Sequence, residues 1–302
     1  MIREALMRFG YATGLYIPYS KFKTKKYRAK IKREGLQYIS DFDFKKYKRS
    51  DKLFILGSGY SINNLTNEDW KKVEKADSIG LNKWVFHSFV PTYYVLETPV
   101  RTEHFQFVKK ELNKKAKLYK NVPFFIHYPH LERSLNHYKD IELDRSQIFY
   151  NAPYMPNTLN TSIIKKMLRQ WNQKENKTLE DLIHYSGSLS YIIMMGVIMG
   201  YKEIVLLGVD LNINKYFFHS DDASESAKMF LKYHDENLKI LRNTTAESKY
   251  VLSDKKLTNS FGCITLPEYM VYLKEAVEKE AVSLKVGSKK SKLYPLLEAY
   301  AF

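Results

Sequence analysis

Cysteine is nearly missing: Cys263 is the one cysteine among 302 residues. An intramolecular disulfide is ruled out, and a thiolate-built metal centre has no second sulfur to draw on. No stretch reaches the roughly 18 uncharged apolar residues that a membrane-spanning helix needs. The longest apolar run is cut short by Gly200-Tyr201-Lys202. The first residues lack an apolar core followed by a small-residue cleavage site, so the expectation is a chain without a signal peptide, placed in the cytoplasm. Acidic residues are scarce too, 33 against 49 lysines and arginines, for a net charge of +16. That balance suits anionic partners: nucleic acid, anionic lipid, nucleotide-linked substrates or acidic glycans. RNP, KH, zinc-finger and helix-turn-helix patterns are absent, which argues against a dedicated nucleic-acid module.

What is present reads as one large α/β domain with extensions. Strand-type runs at Lys52–Leu56, Asp77–Leu81, Thr92–Leu96, Val122–Tyr128 and Glu203–Leu207 alternate with helical segments. The helical segments span Asn67–Lys75, Thr102–Tyr119, Leu159–Gln173, Ser188 to about 199, Ala223–Ala246 and Leu266–Val282. Such alternation favours a single Rossmann-like parallel sheet. Residues 1–50 read as an amphipathic and basic extension, 51–282 as the ligand-binding domain with a lid at about 211–225, and 283–302 as a basic tail. Residues 2–16 place Ile2, Ala5, Leu6, Phe9 and Ala12 at helical spacing, and Pro18 ends the pattern. The run Lys21, Lys23, Lys25, Lys26, Arg28, Lys30, Lys32, Arg33 follows. Together they suggest peripheral attachment to an anionic membrane surface; packing on the domain or on a partner copy is the alternative. Residues 129–157 read as irregular, and a short strand is expected at Lys249–Leu252.

In open α/β sheets, ligands bind outside the carboxyl ends of the strands. Several runs end in residues suited to that place. The first opens into Gly57-Ser58-Gly59-Tyr60-Ser61, whose glycines allow close backbone approach to a phosphate, although Ile62 stands where a dinucleotide fingerprint needs glycine. The second ends at Asn82, and the third at Glu97-Thr98-Pro99. Ser188 sits where a helix N-cap belongs, behind Ser186 and Gly187, and a phosphate fits such a terminus. The strand before Gly208-Val209-Asp210 leads into a polar and aromatic loop through Leu211, Asn212 and Tyr216 to His219. His234 falls on the apolar side of the following helix, as a buried core histidine or as a rival to His219. Two patterns point to metals and are set aside. His127-Tyr128-Pro129-His130 has ligand spacing but is a turn with no carboxylates close behind. Asp41-Phe42-Asp43 precedes the first strand, where acidic residues of a linker are the simpler reading.

The central block, Gly200-Tyr201-Lys202-Glu203-Ile204-Val205-Leu206-Leu207-Gly208-Val209-Asp210 behind a serine-bearing apolar helix, resembles the bacterial sialyltransferases of the Campylobacter lipooligosaccharide type. Gly57-Ser58-Gly59-Tyr60-Ser61, Leu81-Asn82, Glu97-Thr98-Pro99, Tyr185-Ser186-Gly187 and Phe218-His219-Ser220 stand in the order of that family's site segments, over about residues 50–255. The resemblance implies a variant of the GT-A fold. It implies inverting transfer of a nonulosonic acid from a CMP-activated donor to a hydroxyl of a bacterial surface glycan or glycolipid. No metal or other cofactor is required on that reading. His219 would be the general base and Tyr216 a hydroxyl donor to the leaving phosphate. Gly57, Ser58, Gly59, Asn82, Thr98, Ser186, Gly187, Ser188, Asp210, Leu211 and Asn212 would hold the donor, with Glu97 and His234 nearby. Ser58 and Thr98 replace asparagines of the family pattern, Asn212 replaces a tyrosine, and the loop from Asp210 to His219 is shorter. These departures leave the sugar open among sialic-, legionaminic-, pseudaminic- and Kdo-like acids. The implied location is the bacterial cytoplasm, at the inner face of the inner membrane, and a homo-oligomer is compatible with it. Other phosphate-ester transferases or hydrolases, and a basic anionic-polymer-binding protein, are the competing readings.

Overall fold

The computed structural model describes residues 9–97, 102–127, 141–212, 215–244 and 263–302. Eight strands form one sheet: β1 (Lys52–Leu56), β2 (Asp77–Leu81), β3 (Tyr93–Glu97), β4 (Phe124–His127), β5 (Ile148–Asn151), β6 (Glu203–Leu207), β7 (Ser283–Val286) and β8 (Glu298–Ala299). Their order is β5-β4-β3-β2-β1-β6-β7-β8, and every pairing is parallel. The chain lays down β1 to β5 toward one edge, then returns to the far side of β1 and builds β6 to β8 toward the other. The reversal lies between β1 and β6, where an open α/β sheet forms its ligand crevice.

Among the described residues, these helices flank the strands: α1 (Tyr16–Arg33), α2 (Asn67–Glu74), α3 (Thr102–Lys114), α4 (Thr161–Asn172), α5 (Ser188–Ile198), α6 (Glu225–Thr244) and α7 (Leu266–Lys279). Strands covered on both faces need no polar alternation. Accordingly Leu53–Leu56 and Ile204–Leu207 are buried without a break. Helix α5 is apolar all round and buried from Ser188 to Val197. It reaches the sheet at Gly196, where an added Cβ would lie 2.8 Å from Leu53 and 2.9 Å from Ile204. At the amino edge, the buried Asp77 accepts hydrogen bonds from the Arg49 and Ser50 amides, the Arg49 guanidinium and the Tyr201 hydroxyl. That satisfies its charge structurally.

Three sequence expectations need correction. Residues 283–302 are not a tail. They supply β7 and β8, bury Leu284, Val286, Leu293 and Leu297, and set Lys285 on Glu203 at 2.8 Å. Their lysines had masked an alternation of apolar residues. Within 129–157, residues 148–151 are buried strand β5. The described part of the extension, residues 9–50, is not separate either: Tyr38, Ile39 and Phe42 join the core, and Tyr38 bridges to Tyr150. The basic run folds as α1, which starts two residues before Pro18. Proline in a first helical turn forfeits no intrahelical bond, so it does not stop the helix. Asp41 accepts from the Tyr38 amide and Asp43 from the Lys45 amide, which accounts for the Asp-x-Asp pattern as local capping. The expected strand at 249–252 lies outside the described residues. Among the described residues no helix is long and apolar enough to cross a membrane.

Candidate active site

The turns after β1 and β6 are stitched together at the switch point. The Gly57 amide donates to Leu207 O and the Gly59 amide to Gly208 O, each at 2.8 Å. The backbones run so close that a Cβ on Gly57 would lie 2.5 Å from Gly208 O, and one on Gly59 would lie 2.6 Å from both Gly208 O and Asp210 Oδ2. Glycine is required at both places by contact. Asp210, 3% exposed, accepts the Ser61 amide at 2.9 Å through Oδ2 and the Ser61 hydroxyl through Oδ1. Its carboxylate thus ties one turn to the other.

Between these turns lies a cleft of about 240 Å³, lined by Gly57, Ser58, Gly59, Leu81, Leu189, Gly208, Val209, Asp210, Leu211, Lys215, Tyr216 and Leu266. Ligand pockets commonly run to about 300–1,000 Å³, so this cleft is small and open on one side. Leu211, at φ 60°, lines it, and two more non-glycine residues with positive φ lie close in sequence to lining residues: Asn82, at 52°, follows Leu81, and Ser186, at 56°, comes just before Leu189. Such conformations cost about 1 kcal/mol or more each and gather at sites that need a fixed backbone.

The loop from β6 to α6 supplies the polar wall. Tyr216 bridges to Gly59, and the Phe217 amide donates to Ser58 O. Lys83 Nζ lies 4.3 Å from the Tyr216 ring centroid and donates to the Tyr216 hydroxyl at 3.1 Å. With that oxygen accepting, the hydroxyl hydrogen is turned elsewhere. The Tyr216 amide donates to His219 Nδ1 at 2.8 Å. A neutral imidazole has one lone pair, so His219 carries its proton on Nε2 and presents a donor there. His234 lies against Tyr216 with ring centroids 5.8 Å apart, and its Nδ1 faces Asp235 Oδ1 at 3.5 Å. Burial pushes its pKa down, resisted by the hydrogen bond to the Asp235 carboxylate and helped by the charge of Lys83.

At the start of α5 the N-cap is Gly187, at φ 125°, and Ser188 is the first helical residue, one position on from the sequence expectation. The Ser186 hydroxyl donates to Ile264 O and the Ser188 hydroxyl to Glu97. The two side chains brace the helix start, and only its backbone is left to meet a ligand. Asn82 Oδ1 accepts the Glu97 amide at 2.8 Å. Asn212 does not join the cleft; it is exposed and donates to Lys290 O at 2.7 Å. Thr98 lies outside the described residues.

One group of residues was missed by sequence reasoning as a unit. Glu97 Oε1 lies 3.3 Å from His184 Nε2 and 3.7 Å from His127 Nδ1. The signal lay in three strand or segment ends that parallel pairing brings side by side, and local spacing cannot show that. His127 had been weighed only with His130, which lies outside the described residues.

No family model, curated protein or solved structure matches this chain.

Proposed function

We propose that the chain is a nucleotide-dependent glycosyltransferase that moves a nonulosonic acid from a CMP-activated donor to a glycan hydroxyl. The observation that carries the reading is the small cleft at the β1/β6 switch point, with glycine turns on one side and on the other Lys215 and Tyr216, whose hydroxyl is held by Lys83. The choice of CMP, of the sugar class and of the GT-A variant rests on the resemblance in the central block. A CMP-linked keto acid already carries a good leaving group. The protein then needs positioning, donors to the phosphate and a proton acceptor for the attacking hydroxyl.

The hydrogen bonds support a division of these tasks between the two histidines that differs from the sequence expectation of His219 as base. His219, with Nδ1 held by an amide N–H, would need the opposite tautomer to take a proton at Nε2, and that tautomer sets two donors against each other. It suits the leaving phosphate as a donor, beside Tyr216. His234 turns Nδ1 toward the Asp235 carboxylate, which favours the tautomer protonated on Nδ1. A histidine oriented by a carboxylate is the arrangement of a general base. We therefore assign the base to His234 and phosphate contact to His219.

Helix α1 adds a surface. Leu15, Tyr19 and Phe22 form an exposed stripe, 66%, 51% and 66% accessible, with Lys21, Lys25 and Lys26 exposed beside it. An apolar stripe among lysines fits an anionic lipid surface, which would bring the cleft to a glycolipid acceptor.

The test is thermal stabilisation by CMP, UMP, GMP and AMP, followed by CMP release from CMP-sugars. CMP is expected to raise the melting temperature most, by mass action. His234→Ala is expected to lose turnover while keeping CMP binding, whereas His219→Ala weakens CMP binding itself. A purine preference, or no stabilisation by any nucleotide, overturns the reading.

A further inference from the structure

Next to the cleft, the carboxyl ends of β3, β4 and β5 carry a buried polar row. Parallel register sets Glu97 beside His127 and His127 beside Asn151, so the three side chains leave the sheet on one face. His127 and Asn151 are 0% and 1% exposed. His184 closes over the row from the segment before α5, its ring centroid 4.9 Å from that of His127. Tyr191, fully buried on α5, lies 5.3 Å from the His184 ring and 5.9 Å from that of His127, and its hydroxyl is within electrostatic reach of Glu97. Asn151 Nδ2, His184 Nε2 and the Tyr191 hydroxyl are all buried and make no hydrogen bond. Folded proteins seldom leave such atoms unsatisfied, and three in one place call for an occupant.

We propose that Glu97, His127 and His184 bind a divalent transition-metal ion of the zinc class. Bonds of about 2.0–2.1 Å to a tetrahedral ion place ligand atoms about 3.3–3.4 Å apart. The 3.3 Å and 3.7 Å separations from Glu97 Oε1 are close to that edge. The ligand atoms of all three residues lie within 4.8 Å of one another. At a tetrahedral ion each such edge is about 3.3–3.4 Å, so binding shortens the widest of these separations by up to about 1.4 Å. Two imidazoles and one carboxylate suit zinc, cobalt or iron(II) and are poor company for magnesium or calcium. The Ser188 hydroxyl on the other carboxylate oxygen supplies the outer hydrogen bond that orients a metal-bound glutamate. The fourth position falls to the Tyr191 hydroxyl or to water. No sulfur is needed, so the single cysteine is no obstacle. The sequence expectation of a metal-free protein weighed His127 only with His130 and could not see His184 or Glu97 in the same place. The site stands apart from the transferase reading: it pins β3 and β4 to the segment that starts α5, whatever the cleft binds.

The experiment uses untagged full-length protein stripped with a chelator and titrated with Co²⁺, read by its visible absorption, then competed with Zn²⁺. Expected are one ion per chain, an absorption intensity typical of low coordination number, and a melting temperature raised by Zn²⁺. His184→Ala and Glu97→Gln should each weaken binding about tenfold or more, and the effect of Zn²⁺ on melting should shrink in both. Both variants change residues at the rim of the row, so they keep the test valid should His127→Ala fail to fold. A His219→Ala/His234→Ala double variant should bind Co²⁺ as the parent does. Absence of saturable binding, binding unaffected by His184→Ala and Glu97→Gln, or binding lost in the His219/His234 double variant would each overturn the assignment. None of these readouts depends on nucleotide binding or turnover, so the site can fail while the transferase reading stands, and the reverse.

Discussion

Removing the Asp210 carboxylate should loosen both turns of the cleft at once. Its two oxygens accept the amide and hydroxyl of Ser61, at a position 3% exposed. Hydrogen bonds to a charged acceptor contribute about 1.5–3 kcal/mol each. Asp210→Ala deletes two, recovers part of the carboxylate's desolvation, and leaves the Ser61 amide buried beside a hole, for an expected loss of about 2–4 kcal/mol. Asp210→Asn keeps an oxygen for the Ser61 amide and turns an NH₂ toward the hydroxyl, so its loss should stay near about 1 kcal/mol. Ser61→Ala removes one partner only and should couple to Asp210→Ala with an interaction energy of about 1–2 kcal/mol in a double-mutant cycle. The assay is urea unfolding, with midpoints compared at constant slope, run beside nucleotide affinity. The reasoning fails if Asp210→Ala and Asp210→Asn are equally mild, or if the cycle is additive. It also fails if Asp210→Asn keeps full stability and loses nucleotide affinity. That last result would mean the carboxylate serves a ligand rather than the turn.

Acid should destabilise the fold through His87. Burial, aided by the Lys115 charge, pushes its pKa down to about 4, and its Nδ1 already accepts the Phe89 amide at 3.0 Å. The unfolded chain protonates near the ordinary value of about 6.5, so the contribution is complete above that pH. It is lost as pH falls toward 4, by up to about 3 kcal/mol. Urea midpoints at neutral pH and near pH 4.5 should therefore differ less in His87→Gln than in the parent, and an unchanged pH slope would remove His87 from the account. On α1, replacing Leu15, Tyr19 and Phe22 together by serine should abolish sedimentation with phosphatidylserine vesicles while leaving the melting temperature within a few degrees. Parent binding should weaken as salt rises, and vesicle binding that survives the triple substitution excludes the stripe.

The strands beside the switch point were legible because they are buried on both faces. Lys52–Leu56 and Glu203–Leu207 read as continuous apolar runs, and the glycine turns behind them announced backbone contact. The last two strands were not legible. In β7, lysine alternates with Leu284 and Val286, so only one of its sides is fully apolar, and the edge strand β8 has only two residues. Strand β5 is four residues in a stretch punctuated by prolines. At the site, the sequence located the turns at Gly57 and Gly208 and the loop through Tyr216. It could not say which polar groups are already engaged. Asp210, Ser186, Ser188 and Asn212 read as ligand contacts, and each spends its side chain on the protein. Lys83 went unnoticed because only the turn at Asn82 carries it under Tyr216.

The start of α5 joins the two parts of this edge. Ser188 donates to Glu97, and Leu189, the next residue, lines the cleft. Successive residues of an α-helix are turned by about 100°, so these two neighbours face different chambers from one rigid turn. The turn is set by the strained Ser186 and by Gly187, whose φ values leave the segment little freedom to adjust. An ion that draws His127 and His184 onto Glu97 therefore acts on the same backbone that walls the cleft. Coupling of this kind is reciprocal for binding free energies. Whatever factor zinc applies to nucleotide affinity, the nucleotide must apply to zinc affinity. Titrating each in the presence of the other measures that factor twice, and two unequal values would mean that the chambers do not share a single equilibrium.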